Sequence, residues 1–150
     1  MYRAPRAVPS DVEPPAAHIL IVEDHAPLVK GFTRALNAGG YAVDSAADGV
    51  EGFARLLERS YDAVVTDLNM PRMNGLDFLA KIRDAQPEVP VILMTGEMDP
   101  DVYVRARAMG VVRYLLKPVR IEQLGRAVEN AVKLRAVWAK MQGRKGSSSP

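Results

Sequence analysis

The chain has 150 residues, 48% hydrophobic and 25% charged, which is the composition of one soluble globular domain long enough to bury its own core. It contains no cysteine and only two histidines, His18 and His25, so disulfides, thiolate metal sites and a histidine-rich metal centre are excluded. The formal net charge of +2 gathers toward the two ends, in Arg3, Arg6, Lys140, Arg144 and Lys145, with no basic face and no reading element; direct nucleic-acid binding is not expected. No apolar run approaches the roughly 20 residues of a membrane helix and no signal-peptide pattern opens the chain, so a cytoplasmic protein without membrane contact is expected.

Residues 1–17 carry Pro5, Pro9, Pro14 and Pro15 and little apolar content, and read as a flexible leader. His18–Val22 is an apolar run. A helix is predicted from Pro27 to about Ala38, with proline early, where a missing N–H is harmless, and Gly39-Gly40 as its stop. Tyr41–Ser45 is a short strand candidate. Asp48 with Glu51 three residues on forms a capping box that opens a helix over Gly49–Arg59. Asp62–Thr66 is apolar and β-branched, Gly75–Ala85 helical, and Val91–Met94 a further apolar run after Pro90. Pro100–Met109 reads as a helix ended by Gly110, Arg113–Leu116 as a fifth strand, and Ile121 to about Gln142 as a long helix. Residues 18–134 are expected to form the domain, and 135–150 a helix extension with a disordered Gly/Ser tail from Gly143. There is no internal repeat.

Five β/α units in succession predict an α/β fold, with a parallel sheet covered by helices on both faces. The near-continuous apolar runs suit strands buried on both sides. In such sheets, ligands sit at the carboxyl ends of the strands. The first run ends in Glu23-Asp24, the third in Asp67, the fourth in Thr95 and the fifth in Lys117-Pro118. A parallel sheet projects all of these from one edge, which gathers three carboxylates, a hydroxyl and an ammonium in one pocket. Crowded carboxylates call for a cation, and oxygen-only ligands with room for phosphate oxygens suit Mg2+. A carboxylate flanked by Mg2+ and Lys117 can attack phosphorus to give an acyl phosphate, with Thr95 donating to its oxygens.

Each residue also has a structural role open to it. Glu23 and Asp24 suit the cap of the first helix, Asp67 a strand end, Thr95 the cap of a turn, Lys117 a solvated surface position and His25 a loop. It is the joint pattern, with every charged member at the same end of a predicted strand, that favours a site.

The segments Ile19-Leu20-Ile21-Val22-Glu23-Asp24, Asp67-Leu68-Asn69-Met70-Pro71-Arg72-Met73-Asn74-Gly75, Leu93-Met94-Thr95-Gly96 and Tyr114-Leu115-Leu116-Lys117-Pro118 resemble the receiver domain of bacterial two-component response regulators over about residues 17–134. The resemblance implies a flavodoxin-like, doubly wound sheet of five strands in the order 2-1-3-4-5 with five helices. It implies that Asp67 is the phosphoacceptor, and that Glu23, Asp24, Asp67 and the backbone carbonyl of Asn69 hold Mg2+. Lys117 is then the phosphoryl contact and Thr95 with Tyr114 the switch pair, Thr95 moving toward the phosphoryl oxygens and Tyr114 turning inward behind it. A cis Lys117-Pro118 bond is expected. Asn69 and Glu97 flank the phosphoryl group and are expected to tune its lifetime toward rapid decay, with Gly96 leaving the approach open. Glu23, by the same resemblance a common variant of Asp at this position, has one extra methylene and is expected to hold the metal through water.

The implied partners are a sensor histidine kinase or histidine phosphotransfer protein and an output protein or domain, met through the face built from residues near 100–126. The implied catalysis is limited to the protein's own phosphorylation and dephosphorylation. A haloacid-dehalogenase-like phosphatase is the competing enzyme reading, but it requires a second aspartate where Asn69 stands. A pseudo-receiver lacks the site residues present here, and a nucleotide-binding protein would need a phosphate loop that is absent. Two arrangements of output fit: a single-domain regulator, or a segment of a larger protein with the long helix as linker. In that helix Leu124, Ala131 and Trp138, and likewise Ala127, Leu134 and Met141, recur every seven residues, so the Leu134–Met141 end is expected to pair with another copy or a downstream helix.

Overall fold

The computed structural model describes residues 16–147, with side chains described to residue 143. The elements alternate as β1 (His18–Val22), α1 (Ala26–Ala38), β2 (Ala42–Ala46), α2 (Gly49–Glu58), β3 (Ala63–Asp67), α3 (Gly75–Ala85), β4 (Val91–Thr95), α4 (Pro100–Ala108), β5 (Val111–Leu116) and α5 (Ile121–Ser147). All four strand pairings are parallel and the order is β2-β1-β3-β4-β5, the doubly wound topology expected. Most of the leader expected over 1–17 lies outside the described residues. Among those described, no helix is long and apolar enough to cross a membrane.

The continuous apolar runs divide between two cores, residue by residue, because side chains alternate along a strand. Leu20, Val22, Val64, Val91 and Leu93 pack with Leu56 of α2, Phe78, Leu79 and Ile82 of α3, and Ala106 of α4. Ile19, Ile21, Ala63, Val65, Ile92 and Met94 pack on the opposite face with Phe32 and Leu36 of α1 and Leu124, Ala127, Val128 and Ala131 of α5. Each fully buried side chain of this size stabilises the fold by about 2 kcal/mol relative to exposure. That burial fixes the strand register, and with it the positions of the strand ends.

The helices begin and end on local chemistry. Asp48 Oδ1 accepts from Glu51 N at 2.9 Å, Asn74 from Asp77 N at 2.9 Å, and Asp99 from Asp101 N at 3.0 Å with Pro100 opening α4. Gly40 and Gly110, at φ 94° and 91°, take the left-handed turns that follow α1 and α4. Tyr41 donates its N–H to Leu36 O at 3.1 Å, so it closes α1 and β2 starts one residue later than expected.

β5 also departs from expectation. It starts at Val111, because Val91 pairs with Val111 while the next residue, Ile92, pairs with Arg113. Val112 is the extra residue of a bulge, and the bulge shifts the alternation that follows it. Tyr114 therefore faces the α2–α4 core and Leu115 the α1/α5 core. α5 runs 27 residues, about 40 Å, and continues past the expected end at Gln142 to Ser147. Gly143 and Gly146 weaken a helix without breaking it as proline would.

Candidate functional site

The parallel register brings the sequence-predicted residues to one edge. Val22 aligns with Thr66, Asp67 with Met94, and Thr95 with Leu116, so Glu23, Asp67, Thr95 and Lys117 emerge within two residues of one another in height. The peptide network continues beyond the strands, with Glu23 N donating to Ala46 O at 3.0 Å, Leu68 N to Met94 O at 2.8 Å and Lys117 N to Thr95 O at 2.6 Å.

Lys117 Nζ lies 2.8 Å from Glu23 Oε1 and 2.9 Å from Asp67 Oδ2. The carboxylate side chains are 1% and 7% exposed, and the lysine 27%, so two nearly buried anions share one cation at the mouth of the pocket. Burial by itself would depress the lysine pKa. The hydrogen bonds and negative charges of Glu23 and Asp67 outweigh it, and the ammonium titrates above its ordinary value. Asp67 Oδ1 accepts from Asn69 N at 3.2 Å, and Glu23 Oε2 accepts from His25 N at 3.1 Å. Asp24 is exposed at the rim; one carboxylate oxygen each from Glu23, Asp24 and Asp67 lies within 4.8 Å of the others. Three carboxylates against one ammonium leave two formal negative charges at an all-oxygen cluster, a donor set that fits a hard divalent cation such as Mg2+. The Lys117-Pro118 peptide bond is cis, as expected.

Thr95 is fully buried, and its hydroxyl is taken up locally: it donates to Glu97 O at 2.9 Å and accepts from Glu97 N at 3.2 Å. Tyr114 is half-buried beside β4, with its ring edge-on to Tyr103 of α4 at 5.3 Å between centroids. Its hydroxyl is buried without a hydrogen-bond partner among the described residues, and burial followed by the charge of Asp99 raises its pKa. Leu93 pairs with Tyr114, so Thr95, two residues further along β4, lies on the same face of the sheet. Asn69 and Glu97 are both exposed beside the pocket.

One connection had no signal in the sequence. Arg72 reaches across 24 residues to Asp48, with its Nε 2.8 Å from Asp48 Oδ2 and its Nη2 on the same oxygen. Asp48 was legible as a helix cap, but nothing marked its second partner. Gly75 has an equally local reason: a Cβ there would come within 2.6 Å of Leu68 Cα and 2.7 Å of Leu68 O, so only glycine lets the loop after Asp67 fold back onto the start of α3.

A fold of this topology with an acidic, lysine-bridged pocket at the carboxyl edge is the arrangement that the resemblance to receiver domains implied. The model of the response regulator receiver domain matches residues 19–129, and the chain belongs to that family. It is 36% identical over 116 residues to the transcriptional regulatory protein GlrR of Escherichia coli, a match covering 77% of this chain and 26% of that protein. The chain thus spans about a quarter of that relative's length. Among solved structures it is similar to a response regulator receiver domain protein from Clostridium thermocellum, at TM-score 0.76 and 32% identity over 81% of this chain and 98% of that one. It is also similar to the chemotaxis protein CheY4 of Vibrio cholerae, at TM-score 0.73 and 29% identity over 77% and 98% of the two chains.

Proposed function

We propose that this receiver domain takes a phosphoryl group onto Asp67 from a histidine kinase or histidine phosphotransfer protein and changes its α4-β5-α5 face in response. The observation that carries the reading is the double engagement of Lys117 by Asp67 and Glu23 beside Asp24. Glu23, Asp24, Asp67 and the Asn69 carbonyl would hold Mg2+, which when bound supplies charge neutralisation for the transferring phosphoryl oxygens. A carboxylate oxygen of Asp67 attacks phosphorus, the phosphorus–nitrogen bond of the donor breaks, and the electron pair leaves with the imidazole, which takes up a proton. Lys117 keeps its proton throughout, because its raised pKa holds it charged, and it pairs with the incoming phosphoryl oxygens. The amide at position 69 cannot move protons as a phosphatase acid would, which disfavours turnover of free phosphate esters.

The switch proceeds from the hydroxyl of Thr95. Its two bonds to the Glu97 backbone are exchanged for one to the phosphoryl group, the β4–α4 loop moves, and Tyr114 follows on the shared face. An orphan phenol beside that route supports the reading. Asn69 and Glu97, polar and exposed at the approach, admit water in line and shorten the life of the acyl phosphate. The output partner, a protein or a further domain, reads the α4-β5-α5 face in the cytoplasm. The end of α5, with Val137 and Met141 51% and 59% exposed, meets a second copy.

The test is phosphorylation by a small phosphoramidate with Mg2+, read by intact mass. One phosphoryl group is expected on the wild type. None is expected on Asp67→Asn, and none on the Glu23→Gln/Asp24→Asn double variant. Full phosphorylation of Asp67→Asn would sink the assignment.

A further inference from the structure

The β3–α3 loop, residues 68–74 between Asp67 and Gly75, both follows the acceptor and carries Asn69. Its ends are fixed by packing. Leu68 O accepts from Gly75 N at 2.7 Å, and Met73 lies so close over Gly49 that an added Cβ there would come within 2.9 Å of its sulfur. Its middle is different. Asn69, Pro71 and Arg72 are exposed, so burial does not hold them. Yet Arg72 keeps a left-handed backbone at φ 70°, a conformation disfavoured for any residue with a Cβ. One restraint is local: Met73 N donates to Pro71 O at 2.8 Å, closing a three-residue turn centred on Arg72.

A second restraint acts on its side chain, and that is Asp48. The guanidinium of Arg72 places Nε 2.8 Å from Asp48 Oδ2, with Nη2 on the same atom. The carboxylate is a fixed anchor: its side chain is 9% exposed, its other oxygen caps α2 through Glu51 N, and it sits at a helix N-terminus, where negative charge is favoured. The bond to Glu51 N and the Arg72 guanidinium also hold its pKa below the ordinary carboxylate value.

We propose that Arg72 is a positioning residue for phosphoryl transfer: gripping Asp48, it clamps the middle of the β3–α3 loop to the start of α2 and keeps the backbone around Asn69 in the arrangement that metal binding requires. The inference rests on the reading of Asp67, Asn69 and Mg2+ given above. It differs from an ordinary surface ion pair in where the consequence falls, on the site and not on the stability of the fold.

Three variants separate the two. Arg72→Gly removes the guanidinium while accepting φ 70° without strain. Arg72→Lys keeps the charge but not the fork. Asp48→Ser keeps a capping oxygen for Glu51 N and loses the ion pair. Mg2+ affinity of the purified chain is read by calorimetry, phosphorylation rate with a small phosphoramidate, and folding by thermal melting. Arg72→Gly is expected to melt within about 2 °C of the wild type, since the guanidinium end is 61% exposed and Asp48 keeps its bond from Glu51 N, but to bind Mg2+ about fivefold more weakly. Asp48→Ser is expected to lose the same factor in affinity, the double variant no more than either single one, and Arg72→Lys to recover part of the loss. Wild-type Mg2+ affinity in Arg72→Gly, or losses that simply add in the double variant, overturns the clamp. If the wild type itself binds no Mg2+, the site assignment fails instead. The amide shifts of residues 67–69 in metal-free Arg72→Gly then decide the clamp alone: moved shifts support it and unmoved shifts overturn it.

Discussion

Replacing Lys117 by methionine tests the electrostatics of the pocket without emptying it. Methionine keeps an unbranched apolar stem of similar reach and removes the ammonium, with its charge and its hydrogen bonds to Glu23 and Asp67. What remains is Glu23 and Asp67, whose side chains are 1% and 7% exposed, with no cation between them. Removing one partner of a buried ion pair costs about 3–5 kcal/mol, because the survivors are left charged and desolvated. Lys117 is 27% exposed and Asp24 opens the rim to water, which places the loss at the lower end, about 3 kcal/mol at pH 7, or roughly 9 °C of melting temperature for a domain of this size. The sign with pH follows from linkage. Two carboxylates left nearly buried and side by side without a cation are desolvated and repel each other, and that penalty falls on their charged forms. Protons then bind the folded state more tightly, so the deficit should shrink as pH falls from 7 toward 5. In the wild type the lysine has the raised pKa. Its contribution is complete below the unfolded lysine value of about 10.4 and is lost only as pH rises through the higher folded value, so it is constant across neutral pH. Urea titrations of both proteins at pH 7.5 and pH 5, with and without Mg2+, measure each of these. Mg2+ should narrow the gap by supplying the missing positive charge. Equal stabilities at neutral pH, or a deficit indifferent to both pH and Mg2+, would refute the reasoning.

Gly75→Ala should destabilise the fold by about 1–3 kcal/mol in chemical unfolding, because the new methyl meets Leu68 backbone atoms at 2.6 and 2.7 Å that cannot swing aside as a side-chain tip can. Asn69→Met and Glu97→Leu should each slow loss of the phosphoryl group in a time course of intact mass, by shielding or misorienting the attacking water; unchanged decay would remove both residues from that role. An acyl-phosphate mimic should move backbone NMR shifts in α4, β5 and the start of α5 as well as around Asp67, and a Tyr114→Ala variant should blunt the distant shifts while leaving those beside Asp67. Sedimentation across a concentration series should show a dimer that Val137→Asp and Met141→Lys dissolve, and a monomer at every concentration would exclude self-pairing through α5.

Local chemistry made much of the architecture readable. The Gly39-Gly40 stop, the Asp48 cap, Pro100 and the apolar runs act over a few residues, and each recurs in the structure close to where it was expected. The site was legible for a related reason. In a parallel sheet every strand points the same way, so a residue one position past a strand end can be placed at the ligand edge before any contact is known. That rule located Glu23, Asp67, Thr95 and Lys117. It could not say that Lys117 divides itself between two carboxylates, because that choice is settled among residues 50 and 94 positions away along the chain.

The sequence by itself determined the succession of elements, the parallel class of the sheet and the gathering of acidic residues with one lysine at its edge, because periodicity, capping and strand-end position are properties of short stretches of chain. The tertiary structure decided what depends on contact across the fold. The bulge at Val112 turns Tyr114 onto the face shared with Thr95 and Tyr103; without it, the alternation from Val111 would aim that ring at α1 and α5. The tie from Arg72 to Asp48 is of the same kind: each residue obeys its own local rules, and only packing α2 beside the β3–α3 loop makes the two meet.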